Sequence, residues 1–589
     1  MNQTSTKSGL FKKISIGLGL ALAVSTIGVS ASSAAKVQAA SKSGGDITVV
    51  QWDQLLGRCY VPNPGNGAQA IMKTVFEGLF EQKSNGEMVP FLAESASPSA
   101  DFKTWTIKIR SGIKFHDGEA LTATNVALNL NAIQGGLFLA GYATKNYSWL
   151  GGSGIPFVGA VKLKGVTVSG DSVVIALYAP RVDFLNIAYA SGRFYMRSTK
   201  SLMDQTTCEQ SPAGTGPFKW SGAFNTDTVK VVRNAEYWRL DNDGNKLPYL
   251  NSITFKYVSN ATARANAVRS GSADLAMFAS SSDAKQMASL VKDKNVVTTL
   301  TGNNYYPVFA PNVAIAPFNN ANARMATAYA FDQNAYFKAR NCVKGVCFGE
   351  VRDSIVGKQN ILYNKAGAIK FDLAKAKGAV AAYELETGKK LEFTMQVATG
   401  DSGGLDNTKY VAAMFNKAGM VVTVNQTFSS AELVSKVFVS AADVAQGKSN
   451  PFQFNTLNLY ENKGSDFILP FLPSNVFTEP GNTKGAESGG LLTLVGMGLN
   501  TTRHKDTARD ALIWAAAGAT DPATRSTAWK AVTKYLQENA YNIPVPGQQY
   551  SVTASKKLKG YDKFILASGG QGIAMSNFGI NYAGVYLEK

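Results

Sequence analysis

Between Thr104 and Ile109 the chain alternates strictly. Thr104, Thr106 and Lys108 fall on one face and Trp105, Ile107 and Ile109 on the other, the period of a half-buried strand. Before it, Ser84-Asn85-Gly86 reads as a turn. After it, Asp117-Gly118 gives a tight turn and Thr122 is placed to cap a helix starting at Ala123. The same patterning predicts a buried strand over 46–52, a helix over 68–79, and a hairpin of 161–168 against 172–178 about Ser169-Gly170-Asp171. A helix is expected over 180–190, with Pro180 in its first turn. Further on, 391–397, 407–418 and 421–426 read as a β-α-β unit, and 524–539 as an amphipathic helix.

At 589 residues the chain is too long for one core, so two or more domains are expected. Hydrophobic content of 45% and charged content of 17% are those of a packed globular protein. The N-terminus reads as a secretory signal: Lys7, Lys12 and Lys13 precede an apolar run from Ile14 to Val29, and Val37-Gln38-Ala39 offers a cleavage site after Ala39. A retained anchor is the rival, but the run is shorter than the roughly 20 residues of a membrane span and holds three glycines. Lipid-anchor signals end in cysteine, and the first one here is Cys59, so no lipid tether is expected and the mature protein should be periplasmic or loosely held at the cell surface. The segment before the cut carries Lys7, Lys12, Lys13 and Lys36 and no acid, so a formal charge of +18 becomes +14 in the mature chain. These charges are dispersed, with Lys556-Lys557-Lys559 the densest cluster, and no basic stripe with stacking aromatics suggests nucleic acid.

Four cysteines in an exported chain suggest two disulfides. Cys342 and Cys347 bracket a short Val-Lys-Gly-Val loop and are expected to pair, leaving Cys59 with Cys208. A four-cysteine metal site is the rival, without any C-x-x-C spacing to support it.

Gly400-Asp401-Ser402-Gly403-Gly404 imitates the nucleophile segment of chymotrypsin-like proteases. That chemistry needs a histidine base and a buried acid, and the chain has only His116 and His504. The flanks of Ser402 read as a strand and a helix, so the segment is expected to be a loop between them. His116 reads as a turn residue bonding its neighbours and His504, in a polar run, as solvent-facing. No local pattern selects a carboxylate pair for glycoside hydrolysis. Gly151–Gly154 and Gly569–Gly572 lack the Lys-Ser/Thr of a phosphate loop. No cofactor, metal site or catalytic residue is expected.

The segment 76–126 closely resembles the signature of the family 5 extracytoplasmic solute-binding proteins, the peptide- and nickel-binding receptors of ABC importers. It carries Glu77-Gly78-Leu79, Pro90-Phe91-Leu92-Ala93-Glu94-Ser95, the run Trp105–Gly118 ending in Lys-Phe-His-Asp-Gly, and Thr122-Ala123-Thr124-Asn125-Val126, where the family has Asp in place of Asn125. Further matches follow in the family's order. They are Gly214–Trp220, the strand 229–232 with Asn234–Trp238, Leu247–Leu250 leading into a strand at 252–257, and Ala261–Ala276 with a helix stop near Gly271. Asn312, Pro317-Phe318, Arg324, Ala330 and Asp332 come next, and Ile543-Pro544 closes the series.

The resemblance implies an α/β, two-lobed periplasmic-binding-protein-like fold (class II, cluster C) with an extra small domain inserted in the first lobe. Residues 40–69, 180–300 and 536–589 would form the first lobe, 70–179 the insert and 301–535 the second lobe. It implies a monomeric receptor that delivers a ligand, most often a peptide, to permease subunits of an ABC transporter. An oligosaccharide is the runner-up ligand, and a secreted hydrolase the alternative from another class. Trp52, Tyr305, Tyr306, Asn312 and Tyr460 would face the ligand. Peptide binders of the family often carry an acid for the ligand's ammonium group; here Tyr460-Glu461-Asn462 replaces that phrase, leaving Glu461 or Asp466 for the role.

Overall fold

The computed structural model describes residues 42–55, 57–58, 66–133, 163–189, 194–203, 205–301, 305–437, 450–460, 502–576 and 579–589. The expected signal segment, Cys59, Gly151–Gly154, Glu461 and Asp466 lie outside them, as do the side chains of Tyr305 and Tyr460.

Three larger sheets organise the chain. The first has seven strands in the order Val296–Leu300, Tyr550–Ser555, Leu275–Ala279, Asp46–Gln51, Ser252–Tyr257, Thr228–Arg233 and Phe218–Ser221. Its centre is parallel: Asp46–Gln51 pairs in register with Ser252–Tyr257 and, on its other side, with Leu275–Ala279. The second has five strands in the order Val421–Asn425, Glu392–Gln396, Phe454–Tyr460, Tyr305–Pro311 and Ile543–Pro544. The expected β-α-β unit supplies its parallel part, with the helix Ser402–Lys417 between Glu392–Gln396 and Val421–Asn425. The third is antiparallel, in the order Ala93–Pro98, Thr104–Ile109, Ser172–Leu177 and Leu163–Ser169. Trp105, Ile107 and Ile109 are buried there, as their alternation predicts.

Among the described residues the chain leaves the first sheet for the second after Thr301 and returns at 545–549. The two passages are stitched together. Thr301 N donates to Tyr550 O at 2.9 Å, Tyr550 N to Thr301 Oγ1 at 3.2 Å, and Gln549 Nε2 to Thr301 O at 2.9 Å.

The signature motifs converge on one buried carboxylate. Glu77 accepts hydrogen bonds from Tyr237 Oη at 2.6 Å, Trp238 Nε1 at 2.9 Å and Thr215 Oγ1 at 2.9 Å. Burial pushes its pKa up to about 7 against those donors. Gly216 O is shared by His116 Nε2 at 2.9 Å and Asn234 Nδ2 at 3.1 Å, so His116 is the turn residue expected of it. Gly216 N donates to Val75 O at 2.9 Å, and a Cβ on Gly214 would lie 2.1 Å from that oxygen. This contact is why the first helix, read as 68–79, ends at Val75: the chain turns there to carry Glu77 inward. Asn125 keeps the capping role at the next helix. Its N donates to Thr122 Oγ1 at 3.3 Å while its Oδ1 accepts from Thr122 N at 2.9 Å, a reciprocal box that needs only an acceptor oxygen at this position.

Two sequence readings need correction. The helix read as 180–190 starts only at Phe184 and runs to Tyr189, the last described residue there. Arg181 N donates to Phe102 O, and its guanidinium bonds Pro180 O at 2.8 Å, which holds the first residues against the third sheet instead of in a helical turn. His504 is buried. Its ring stacks on Tyr541 with centroids 3.9 Å apart, and Nδ1 lies 2.6 Å from Arg509 Nη1. Desolvation and the Arg509 charge lower its pKa to about 4.

Candidate functional site

In open α/β sheets, ligands bind beyond the carboxyl ends of parallel strands. In the first sheet those ends are Gln51-Trp52-Asp53, Val258-Ser259 and Ala279. One arginine ties them together. Arg264 sits in the first turns of the helix Ala261–Ser270, whose start is fixed by Asn260 accepting Ala263 N at 2.9 Å. Its guanidinium donates to Met277 O, Val258 O and Ser259 O at 3.1, 2.8 and 2.7 Å. It also meets Asp283 Oδ2 at 2.5 Å, both side chains being buried, and the same carboxylate oxygen takes Ala279 N at 3.1 Å.

Trp52 rests on this brace. Its ring lies 5.9 Å from the Arg264 guanidinium and stacks on Tyr550 with centroids 5.8 Å apart and planes at 20°. Trp52 is half-buried, so part of the indole remains available. Gln51 beside it is 1% exposed, and its Oε1 has no hydrogen-bond partner among the described residues.

In the second sheet Tyr305 and Tyr460 form a register pair at the end where the chain enters from the first passage. Tyr306 is buried under the Arg352 guanidinium, 4.0 Å from its ring centroid. The structure therefore gathers Trp52, Tyr306 and the Tyr305–Tyr460 pair about the stitched passages. Asn312 is elsewhere. It follows Pro311, at the far end of the same strand, is fully buried, and spends its amide on Asn450 O, Phe452 O and Ala314 N. That places it among the loops of the opposite end rather than beside the tyrosines.

Gly400–Gly404 opens a helix. Asp401 caps it by accepting Gly404 N at 2.8 Å, and burial raises the Asp401 pKa. A Cβ on Gly403 would lie 2.5 Å from that of Ser282, so this helix start abuts the helix that carries Asp283. Gly403 thus serves a close helix-to-helix approach, and Gly404 leaves room for the capping Asp401 carboxylate.

Sequence reading missed Arg264, Asp283, Arg352 and Tyr550. The available signal was weak: an arginine and an acid, each in the first turns of a helix that follows a strand, 19 residues apart. Cys342 and Cys347 are bonded as expected, and Cys208 is also in a disulfide. Among the described residues no group of His, Cys, Asp and Glu could hold a metal ion, and no helix is long and apolar enough to cross a membrane.

A family model described as bacterial extracellular solute-binding proteins, family 5 Middle, matches residues 87–467. A relative named glutathione-binding protein GsiB, from Shigella flexneri serotype 5b, is 30% identical over 280 residues, covering 46% of this chain and 49% of that protein. The chain thus spans about half the length of the curated relatives it matches. Among solved structures, DppA of Helicobacter pylori in complex with the peptide STSA has a TM-score of 0.72 at 17% identity, over 93% of this chain and 98% of that one. AgaA of A. tumefaciens R10 in complex with agropinic acid also has a TM-score of 0.72, at 19% identity, over 92% and 99%. Those likenesses show the two-lobed periplasmic-binding-protein fold.

Proposed function

The chain belongs to the bacterial extracellular solute-binding proteins of family 5, and on that premise we propose that it captures a solute between its first two sheets and presents it to an ABC importer. Peptide is the first ligand class, since the relatives bear names or ligands of that kind: glutathione for GsiB and a tetrapeptide for DppA. AgaA, with agropinic acid in the same fold, is the reason to screen more widely.

The observation that carries the reading is the hydrogen bonding of Thr301, where the chain leaves the first sheet, to Gln549 and Tyr550, where it returns, with Trp52 and the Tyr305–Tyr460 pair around them. Short stitched connections between two sheets make a hinge, because small backbone rotations there swing whole lobes. Closure buries the solute and leaves it chemically unchanged. The closed form then engages the permease by differential affinity. The receptor acts outside the cell membrane, freed from its signal after Ala39 and without a lipid anchor. Its lobes are 40–69 with 180–300 and 536–589, and 301–535; the third sheet forms the core of an inserted domain over 70–179.

Thermal-shift screening of the mature chain against di- to oligopeptides and oligosaccharides tests this. A ligand at 100 times its Kd adds about 2.7 kcal/mol to stability. A saturable peptide shift is expected. A shift with sugars alone moves the ligand to the oligosaccharide class, and steady conversion of any probe overturns the reading.

A further inference from the structure

Between the helix Gln333–Arg340 and the next helix at Leu373, the chain makes a hairpin of Cys342–Val343 against Val346–Cys347, closed by a disulfide. The helix before it belongs to the second sheet's core, where Tyr336 lies with Phe309 and Phe331. The hairpin does not stay there. Phe348 is fully buried among Val50, Ala265, Val268 and Phe278, which are residues of the first sheet and its helices. Val343 and Val346 pack against the same cluster. The hairpin base is locked by Phe348 N donating to Asn341 O at 3.0 Å and Asn341 Nδ2 donating to Phe348 O at 2.9 Å.

The next two residues grip the second passage. Gly349 has φ +94 and lies so close that a Cβ would sit 1.9 Å from Gly547 O, and Gly547 N donates to Glu350 O at 2.8 Å. Besides the two covalent passages, the core contacts of Tyr306 and Val308 and the close approach of Gly403 to Ser282, the two sheets are thus joined by this hairpin, which reaches from the second core into the first.

We propose that the disulfide-closed hairpin is a strap that limits how far the two sheets separate. The bond's part is to hold Val343, Val346 and Phe348 together as one apolar plug. A two-stranded hairpin this short has little stability alone, and a cross-link removes the disordered conformations that would compete with insertion. Cys347 is exposed, so the bond lies at the surface while its plug is inside. The proposal rests on the reading that the sheets move about the passages.

The test is a C342S/C347S variant of the full mature chain, which leaves the disulfide of Cys208 intact, studied without ligand by hydrogen exchange and small-angle scattering. Amides of Leu275–Ala279 should exchange about tenfold faster, and the scattering should show a larger radius of gyration. Amides of Thr104–Ile109, in the third sheet, should not change. F348A, which keeps the bond and removes the plug, should give the same expansion and serves if the serine variant fails to fold. Unchanged exchange at Leu275–Ala279 together with unchanged scattering in a folded variant overturns the strap. No solute enters this experiment, so a chain that binds none of the probes in the ligand screen would leave its outcome intact.

Discussion

Arg264 and Asp283 meet at 2.5 Å with both side chains buried, and Trp52 lies against the guanidinium. Removing one member of a buried pair strands the other charge and costs about 3–5 kcal/mol. R264A should lose that much in urea unfolding, and the carbonyls of Met277, Val258 and Ser259 lose the donor that Arg264 supplies. The loss should far exceed that of K108A, since the Lys108–Glu94 pair is solvent-exposed and screened by water.

Trp52 is half-buried and already supported from behind by Tyr550 and Arg264. W52A should therefore leave the fold largely intact and weaken the ligand found by screening at least about tenfold, the loss of roughly 1.4 kcal/mol expected when one aromatic wall is removed. Isothermal titration measures it, with urea unfolding as the control.

Glu77 and His504 pull stability in opposite directions with pH. Glu77 holds its proton more tightly folded than unfolded, so its contribution is present at acid pH and is lost as pH rises from about 4.5 through about 7. His504 is held neutral, so its contribution is present above about 6.5 and is lost as pH falls towards about 4. Each is worth roughly 3 kcal/mol over its window, and between pH 5 and 7 their slopes oppose one another. E77Q removes one side only. Its stability should fall more steeply than the wild type's from pH 7 to pH 5, in addition to a pH-independent loss of about 1–3 kcal/mol from mismatched hydrogen bonds. Parallel slopes for the two proteins would contradict the assignment.

A Cβ at Gly214 would overlap Val75 O at 2.1 Å, a backbone atom that has no room to retreat. G214A should cost at least about 3 kcal/mol or prevent folding. G222A, at a position with open space around it, should cost only the strain of its positive φ, about 1 kcal/mol.

Local pattern carried the elements well wherever one side of the chain faces a core. The alternation of Thr104–Ile109 became a strand with the expected face inward, and Gly271 stops its helix at φ +77. It failed where distant residues decide. The helix expected at Pro180 is shortened by Phe102, which takes the Arg181 amide, and His504 is buried by Tyr541. Glu77 and Tyr237 stand 160 residues apart, so their hydrogen bond has no local signature, although the motifs on either side of it were legible. The aromatic wall at Trp52 was named from resemblance, but the Arg264–Asp283 brace behind it depends on three strand ends meeting, which no single segment encodes.

Small-angle scattering of the mature chain, with and without a saturating solute identified by the screen, bears most directly on the hinged-receptor account. A smaller radius of gyration on binding, with the solute recovered intact by mass spectrometry, is the predicted result. A profile unchanged at saturation, or a solute recovered as product, would contradict it.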